Sequence, residues 1–154
     1  MKKKLTMILL ALVLFSTSLF TVDMKTNAKE TEEDVTYESL LTEDALIGYM
    51  QSQTWGIYLV DGTSVINDAG GGKIGAGGLT TAAKKCTVSV NAIVERKVGS
   101  SWVRVTSWTV TNTNALIATA SKTISVASGY YYRVRCNHYA STDASSSCTS
   151  SLWM

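Results

Sequence analysis

The feature of this sequence that most constrains its fold is the alternating stretch from Lys122 to Cys136. Ile124 and Val126 alternate with hydroxyl residues, which is the two-residue period of a half-buried strand. Gly129 then favours a turn, because glycine adopts positive φ angles that other residues avoid. In the strand after the turn, the side chains on one side are Tyr130, Tyr132, Val134 and Cys136. Those on the other side are Tyr131, Arg133, Arg135 and Asn137. The stretch predicts two strands joined by a turn.

The clearest hairpin lies upstream, where two alternating runs, Cys86–Lys97 and Trp102–Thr111, flank a four-residue loop. A loop of this length places Lys97 opposite Trp102, and the two-residue period then decides which side chains share a face. The predicted buried face of the first run consists of Val88, Val90, Ala92 and Val94. A further apolar strand is expected at Ala115–Thr119.

Other segments bring the count to seven or eight short strands. Asp61-Gly62, between two apolar runs, predicts a two-residue hairpin. We interpret the glycine-rich segment Asn67–Gly78 as a flexible connection or a glycine-rich edge segment, because it lacks the helix that a dinucleotide-binding loop requires. Thr42–Met50 begins with a hydroxyl cap and two acids, which favours a short helix. The sequence therefore predicts a mainly β protein, a small antiparallel β-sandwich with a short N-terminal helix.

The first 28 residues have the organisation of a secretory signal peptide. Three lysines precede the apolar run Leu5–Phe15, and Thr26-Asn27-Ala28 offers a small-residue cleavage site. An uncleaved membrane anchor is the alternative, although polar residues interrupt the apolar run. We therefore expect a secreted protein with a signal peptide (1–28), an acidic leader that contains the short helix (29–53) and a β-sandwich domain (54–154).

Charge is distributed unevenly along the chain. Lys29–Asp68 contains nine acidic residues and one basic residue, whereas Lys73–Met154 contains nine basic and two acidic residues. The leader either keeps the protein soluble or screens a cationic domain. We expect its first residues, Lys29–Asp34, to be disordered because they offer nothing apolar to bury.

Three cysteines follow the signal peptide, and export favours a disulfide. Cys136 and Cys148 lie six residues on either side of Thr142, where a turn is expected, so we predict that they pair. Pairing of Cys86 with Cys136 is the alternative, and either bond leaves one thiol over.

No constellation of residues predicts catalysis. The single histidine, His138, would have to combine with Asp143 and one of many serines, none of which lies in a nucleophile-elbow motif. A zinc site would need Cys136, His138 and Cys148, but a disulfide would remove two of these ligands. We expect no enzymatic activity, no cofactor and no metal.

The best candidate site is cationic and aromatic. The candidate ligand-binding residues, which alternate along two predicted strands, are Trp102, Arg104, Trp108, Tyr131, Arg133 and Arg135. Aromatic rings and guanidinium groups stack on sugar rings and bind anionic groups. Both tryptophans could instead pack against the second sheet or the N-terminal helix. For an exported protein we expect an anionic cell-wall polymer, a glycan or a protein as partner, not nucleic acid, with the membrane met only during export.

Two functional classes are consistent with these patterns. The first is a secreted, non-catalytic binding module of the cell envelope or extracellular space. The second is a secreted antimicrobial or membrane-active peptide precursor, which the acidic leader, the cationic remainder and the long amphipathic strands favour. The mixture of tryptophan and charged residues on one hairpin face counts against a lipid-facing surface, so the binding module is the preferred hypothesis.

A set of short motifs carries a family resemblance: Val94-Glu95-Arg96, Ser101-Trp102, Ser107-Trp108, Ser128–Arg135, His138 and Leu152-Trp153. Together they resemble a family of short secreted proteins of Gram-positive bacteria that is defined by a domain of unknown function. The resemblance extends from about Gly70 to the C-terminus, implies secretion and a small β domain, and supplies no catalytic residues. Tyr132 is also similar to the tyrosine corner of immunoglobulin and fibronectin type III sandwiches.

Overall fold

The structure, a computed structural model, describes residues 31–51 and 56–154, so the predicted signal peptide and Trp55 lie outside it. These residues form eight strands and one 3-10 helix. In chain order they are β1 (Glu32–Asp34), the 3-10 helix (Glu38–Leu40), β2 (Leu46–Tyr49), β3 (Leu59–Gly70), β4 (Lys73–Val98), β5 (Ser101–Ser125), β6 (Tyr131–Ala140), β7 (Asp143–Cys148) and β8 (Leu152–Trp153). All pairs are antiparallel, which confirms a mainly β, antiparallel fold.

The long hairpin of β4 and β5 organises the sheet. Residues 73–81 of β4 pair with 117–125 of β5, and residues 86–98 pair with 101–115. The other edge of β4 pairs first with β3 and then, over residues 88–96, with β6. We call the half that contains β1, β2 and β3 the first arm, and the half that contains β6, β7 and β8 the second arm. The predicted hairpin, including Lys97 opposite Trp102, is confirmed.

The two arms contact each other through side chains as well as through β4 and β5. Thr80 of the first arm forms a 2.8 Å hydrogen bond with His138 of β6. A single hydrophobic cluster takes residues from both arms; its fully buried aliphatic members include Ile66, Ile74, Ile124, Val88, Val90, Val94 and Val134. Each such side chain contributes roughly 1.5–3 kcal/mol when it is fully buried.

The glycine-rich segment is a turn and a strand, not a flexible connection. The turn between β3 and β4 lies at Gly70–Gly72, where all three φ angles are positive (76°, 62° and 73°). The predicted Asp61-Gly62 hairpin is therefore wrong, since Gly62 lies inside β3.

A Cβ atom at Gly62 would collide with the ring of His138, and one at Gly78 would collide with Cys136. These glycines allow β6 to approach the first arm closely.

The acidic segment is part of the sheet. β1 pairs with residues 122–124 of β5, so the prediction of disorder is wrong for Glu32–Asp34. Glu32 forms a 2.8 Å ion pair with Lys122, and Leu40 is 2% exposed. The segment therefore binds basic residues of the domain and also adds to its core.

The predicted helix at Thr42–Met50 is wrong, because Leu46–Tyr49 form strand β2 beside β3. The apolar pattern of so short a segment is compatible with a helix and with a strand, so its contacts with the rest of the protein determine which one forms. Gly48 lies against the backbone carbonyl of Cys148, where a Cβ atom would not fit. No helix within the described ranges is long and apolar enough to cross a membrane.

The stretch from Lys122 to Cys136 forms two strands as predicted, but they do not pair with each other. β5 ends in the first arm and β6 begins in the second, so the connection crosses between the arms. Tyr132 is 1% exposed, and its hydroxyl donates a 2.8 Å hydrogen bond to the carbonyl of Ala127. The prediction that Tyr132 is buried and Tyr131 exposed is confirmed.

The predicted Cys136–Cys148 disulfide is wrong, because all three cysteines are free thiols. Cys136 is paired with Ser147, and Cys148 is paired with Arg135. The turn between β6 and β7 consists of two residues, Ser141 and Thr142. The prediction centred the turn on Thr142, which requires an odd number of residues. The two thiols therefore point to opposite faces of the sheet. The alternative bond from Cys86 is also absent.

Candidate functional site

The outward face of the second arm brings together most of the predicted site residues. Residues directly opposite each other in an antiparallel pair point to the same side of the sheet. The register aligns Lys97 with Trp102, Glu95 with Arg104 and Arg133, and Tyr131 with Trp153. We call this surface the cationic-aromatic face; its members are Glu95, Lys97, Trp102, Arg104, Tyr131, Arg133, Arg135 and Trp153.

Glu95 is the central contact of this face. Nε of Arg133 donates to Oε2 of Glu95 at 2.7 Å, and Nη2 of Arg135 donates to Oε1 at 3.1 Å. Nη1 of Arg135 also lies 3.5 Å from Oδ1 of Asn137. We call Glu95, Arg133 and Arg135 the Glu95 clamp. A single carboxylate thus fixes the positions of two guanidinium groups.

The face carries a net positive charge. Burial of the Glu95 carboxyl opposes its ionisation, but the hydrogen bonds from Arg133 and Arg135 outweigh burial and hold the pKa of Glu95 below its ordinary value. Glu95 is therefore ionised at neutral pH and offsets one of the four cationic side chains on the face. Arg104 is exposed and has no ion-pair partner among the residues that the structure describes.

Aromatic rings occupy the end of the face near Lys97. The guanidinium carbon of Arg133 lies 4.2 Å from the ring centroid of Trp102, a cation–π contact. Tyr131 and Trp153 form an edge-to-face pair with centroids 4.8 Å apart. These two rings are 44% and 57% exposed, so they present aromatic surface to solvent.

Trp108 does not belong to this face, so the prediction that it shares a face with Trp102 and Arg104 is wrong. Val94 is paired with Thr106 and the next residue, Glu95, with Arg104, which leaves Val105 as an extra residue in β5. Such a β-bulge shifts the alternation by one position. Trp108 is paired with the buried Ala92 and packs against the hydrophobic cluster. For Trp108, this agrees with the alternative in which the tryptophans pack inside the protein.

Three residues of the face, Glu95, Lys97 and Trp153, were missed by sequence reasoning as functional residues. Glu95 is the sole acidic residue between Lys73 and Ala140. This pattern could have indicated that the basic residues around it share one carboxylate. Trp153 is brought to the face by the pairing of β8 with β6. Its proximity to the end of the chain gave no local pattern from which a strand could be predicted.

His138 lies on the inner side of β6 and is fully buried. The Thr80 hydroxyl donates to the carbonyl of Ser89 at 3.1 Å, so it accepts from Nδ1 of His138 at 2.8 Å. Nε2 then accepts from the hydroxyl of Ser147 at 2.8 Å. Burial lowers the pKa of His138 to about 4, so its ring is neutral. Asp143 is engaged elsewhere, accepting from the backbone of Tyr58 at 2.6 Å.

The cysteines do not join His138 in a metal site. Cys136 shares the inner side of β6 with His138, whereas Cys148 lies on the outward side. Burial raises the pKa of the Cys136 thiol, which disfavours the thiolate that metals bind. Among the residues described, no group of three or more histidine, cysteine, aspartate or glutamate side chains could hold a metal ion.

Comparisons with protein-family models, with curated proteins and with solved structures gave no match to this chain. The resemblance to secreted Gram-positive proteins and to immunoglobulin-type domains therefore stays a prediction.

Proposed function

We propose that this protein is a secreted, non-catalytic binding module that holds an anionic polymer of the cell envelope on its cationic-aromatic face. The observation that carries this proposal is the Glu95 clamp. It fixes two arginines on β6, and the exposed Arg104 lies on the other side of Glu95, on β5. Side chains that are already ordered lose less conformational freedom when a ligand binds.

The spacing of the arginines favours a polymer over a small anion. Arg104 and Arg133 lie on either side of Glu95, on β5 and β6. With Lys97 and Arg135, the cationic side chains are spread over three paired strands that lie about 4.8 Å apart. One phosphate or carboxylate group contacts only part of such a surface. A chain with repeated anionic groups reaches both arginines, and guanidinium groups bind such oxyanions through paired N–H donors.

We further propose that the two arms form an immunoglobulin-like sandwich that serves as a rigid support for this face. The hydrophobic cluster shared by the arms and the hydrogen bond from Tyr132 to Ala127 support this arrangement. Binding residues on paired strands are held more precisely than residues on loops. The mixture of charges and rings on the face disfavours the membrane-active alternative, since lipid-facing strands need a continuous apolar band.

The test is retention of the purified secreted protein on isolated Gram-positive cell walls, before and after acid removal of their phosphodiester-linked polymers. We expect retention that falls with rising salt and disappears after the polymers are removed, because screening weakens contacts between exposed charges. Arg104→Gln should weaken retention and make its salt dependence shallower. Lys84→Gln, the same charge change at an exposed position outside the face, is the matched control.

Several outcomes would reject the proposal. Absence of retention for the unaltered protein, or retention that survives polymer removal, would exclude an anionic wall polymer. Equal weakening by Arg104→Gln and Lys84→Gln would show that overall charge, not this face, is responsible. Retention on anionic phospholipid vesicles without retention on walls would favour the membrane-active alternative.

A further inference from the structure

A groove separate from the cationic-aromatic face lies between β5 and the N-terminal segment. Its volume is about 450 Å³, within the range of small-ligand sites. Both halves of β5 line it, together with the chain that connects β1 to the 3-10 helix. Its lining includes the carboxylates of Asp34 and Glu38 and the indole ring of Trp108, together with several hydroxyl residues.

Trp108 gives the groove an unused hydrogen-bond donor. Its indole nitrogen Nε1 is buried and has no hydrogen-bond partner among the residues described. A buried donor without a partner is unfavourable, because it has lost its hydrogen bonds to water. An acceptor atom on a ligand would restore a hydrogen bond. The nitrogen is covered in this structure, so a ligand reaches it only after the groups around it move.

The β1 end of the groove wall is suited to such a displacement. β1 has three residues and is held by backbone pairing to β5 and by ion pairs from Glu32 to Lys122 and from Glu33 to Lys73. Short edge strands with exposed ion pairs are among the least stable parts of a fold. Asp34 can therefore move with β1, whereas Tyr37 and Val35 stay packed with Leu40 and Val65 in a second buried cluster.

We propose that this groove binds a neutral saccharide unit. Indole N–H groups only donate and carboxylates only accept hydrogen bonds, so a ligand that satisfies both must donate and accept. Hydroxyl groups do both at one atom, and a sugar ring carries several of them beside an apolar face that packs on an aromatic ring. A cationic ligand is disfavoured because Nζ of Lys122 already lies 5.5 Å from the Trp108 ring centroid. An anionic ligand is disfavoured by Asp34 and Glu38.

The groove and the cationic-aromatic face can be tested independently. Trp108 and Trp102 point to opposite sides of the second arm, and the chain contains four tryptophans in all. In ¹⁵N–¹H spectra each tryptophan gives a separate indole signal, and Trp108→Phe assigns the signal of Trp108 by its loss. The probes are maltotriose and the trisaccharide of N-acetylglucosamine, with choline chloride and inorganic phosphate as charged comparisons.

We expect a saturable shift of the Trp108 indole signal with at least one trisaccharide and no shift of the Trp102 signal. The affinity should not depend on salt, because the probe is uncharged. Asp34→Asn should weaken it about tenfold or more, the effect of losing a hydrogen bond to a charged group. The matched control is Asp44→Asn, an exposed aspartate of the same segment that does not line the groove.

Four results would overturn the inference. The first is the absence of a saturable shift with both trisaccharides. The second is a saturable shift with choline or phosphate alone, which would assign a charged ligand. The third is equal weakening by Asp34→Asn and Asp44→Asn. The fourth is unchanged affinity in Trp108→Phe, measured by calorimetry on variants that keep the thermal unfolding temperature of the unaltered protein.

Discussion

β6 carries a polar cluster on each of its two sides, and the clusters are held in different ways. On the inner side, His138 lies between Thr80 and Ser147, and all three side chains are buried. On the outward side, Arg133 and Arg135 share Glu95. The inner cluster consists of uncharged groups with matched donors and acceptors. The outward cluster consists of ions at the surface.

Desolvation explains this difference. Burial disfavours the imidazolium form and lowers the pKa of His138 to about 4, so the inner cluster stays neutral. The arginine side chains of the clamp are 28% and 39% exposed, which keeps part of their hydration. Changes on the inner side should therefore alter stability, and changes on the outward side should alter binding.

The largest expected effect distinguishes two neighbouring tyrosines of β6. Tyr132→Ala should lower the free energy of unfolding by about 3–5 kcal/mol, because it removes a large buried ring and its hydrogen bond. Tyr131→Ala, on the exposed side, should cost about 1 kcal/mol or less. Urea unfolding monitored by circular dichroism measures both. Equal and small losses would show that the assignment of inner and outward sides is wrong.

Acid should weaken the inner cluster. Because the pKa of His138 falls from its ordinary 6.5 to about 4, the unfolded chain binds a proton between these values that the folded chain does not. The stabilisation by neutral His138 is complete above pH 6.5 and declines as the pH falls towards 4. We expect a loss of about 2 kcal/mol in unfolding free energy between about pH 7 and pH 5.

The chain has one histidine, so an NMR titration of its ring provides the control. The pKa of Glu95 is lowered from its ordinary 4.5 by its arginine partners, so the stabilisation that it gives is lost only as the pH falls below that value, outside most of the chosen window. A ring that titrates near 6.5, or a free energy of unfolding that stays constant across the window, would contradict the buried, neutral assignment.

The fold could be predicted where a pattern is local and regular. The alternation on either side of the loop after Val98 predicted the register of the central hairpin as far as Glu95 and Arg104, and strand alternation predicted the burial of Tyr132. The segment Leu46–Tyr49 is too short for its period to separate helix from strand. Its conformation depends on contacts with β3 and on the space beside Gly48, which are non-local.

The candidate site was predicted in part for the same reason. Arg133 and Tyr131 follow strict alternation and lie where the pattern placed them. Trp108 does not, because Val105 is an extra residue that leaves no mark in the sequence. The side of the sheet predicted for Cys148 was wrong, because the turn between β6 and β7 is centred between Ser141 and Thr142 and not on Thr142. In strands a shift of one residue exchanges the two faces, so small local errors become complete errors of orientation.

The smallest expected effect on stability is that of Trp102→Ala, and it examines the outward side most directly. Trp102 is half-buried and lies beneath the guanidinium group of Arg133 at 4.2 Å, a contact worth about 0.5–1 kcal/mol at a surface. The loss in unfolding free energy should stay near that value. Trp108→Ala, the matched change on the inner side of the same strand, should cost about 3 kcal/mol or more.

Binding gives the second half of this test. Trp102→Ala should weaken retention on cell walls and leave its salt dependence unchanged, because stacking is short-ranged and removes no charge. Arg104→Gln should instead change the salt dependence. If Trp102→Ala unfolds the protein, Trp102 is a core residue, and the aromatic part of the binding site is lost. If Trp102→Ala leaves retention intact, the arginines alone hold the polymer and the rings beside them have another role.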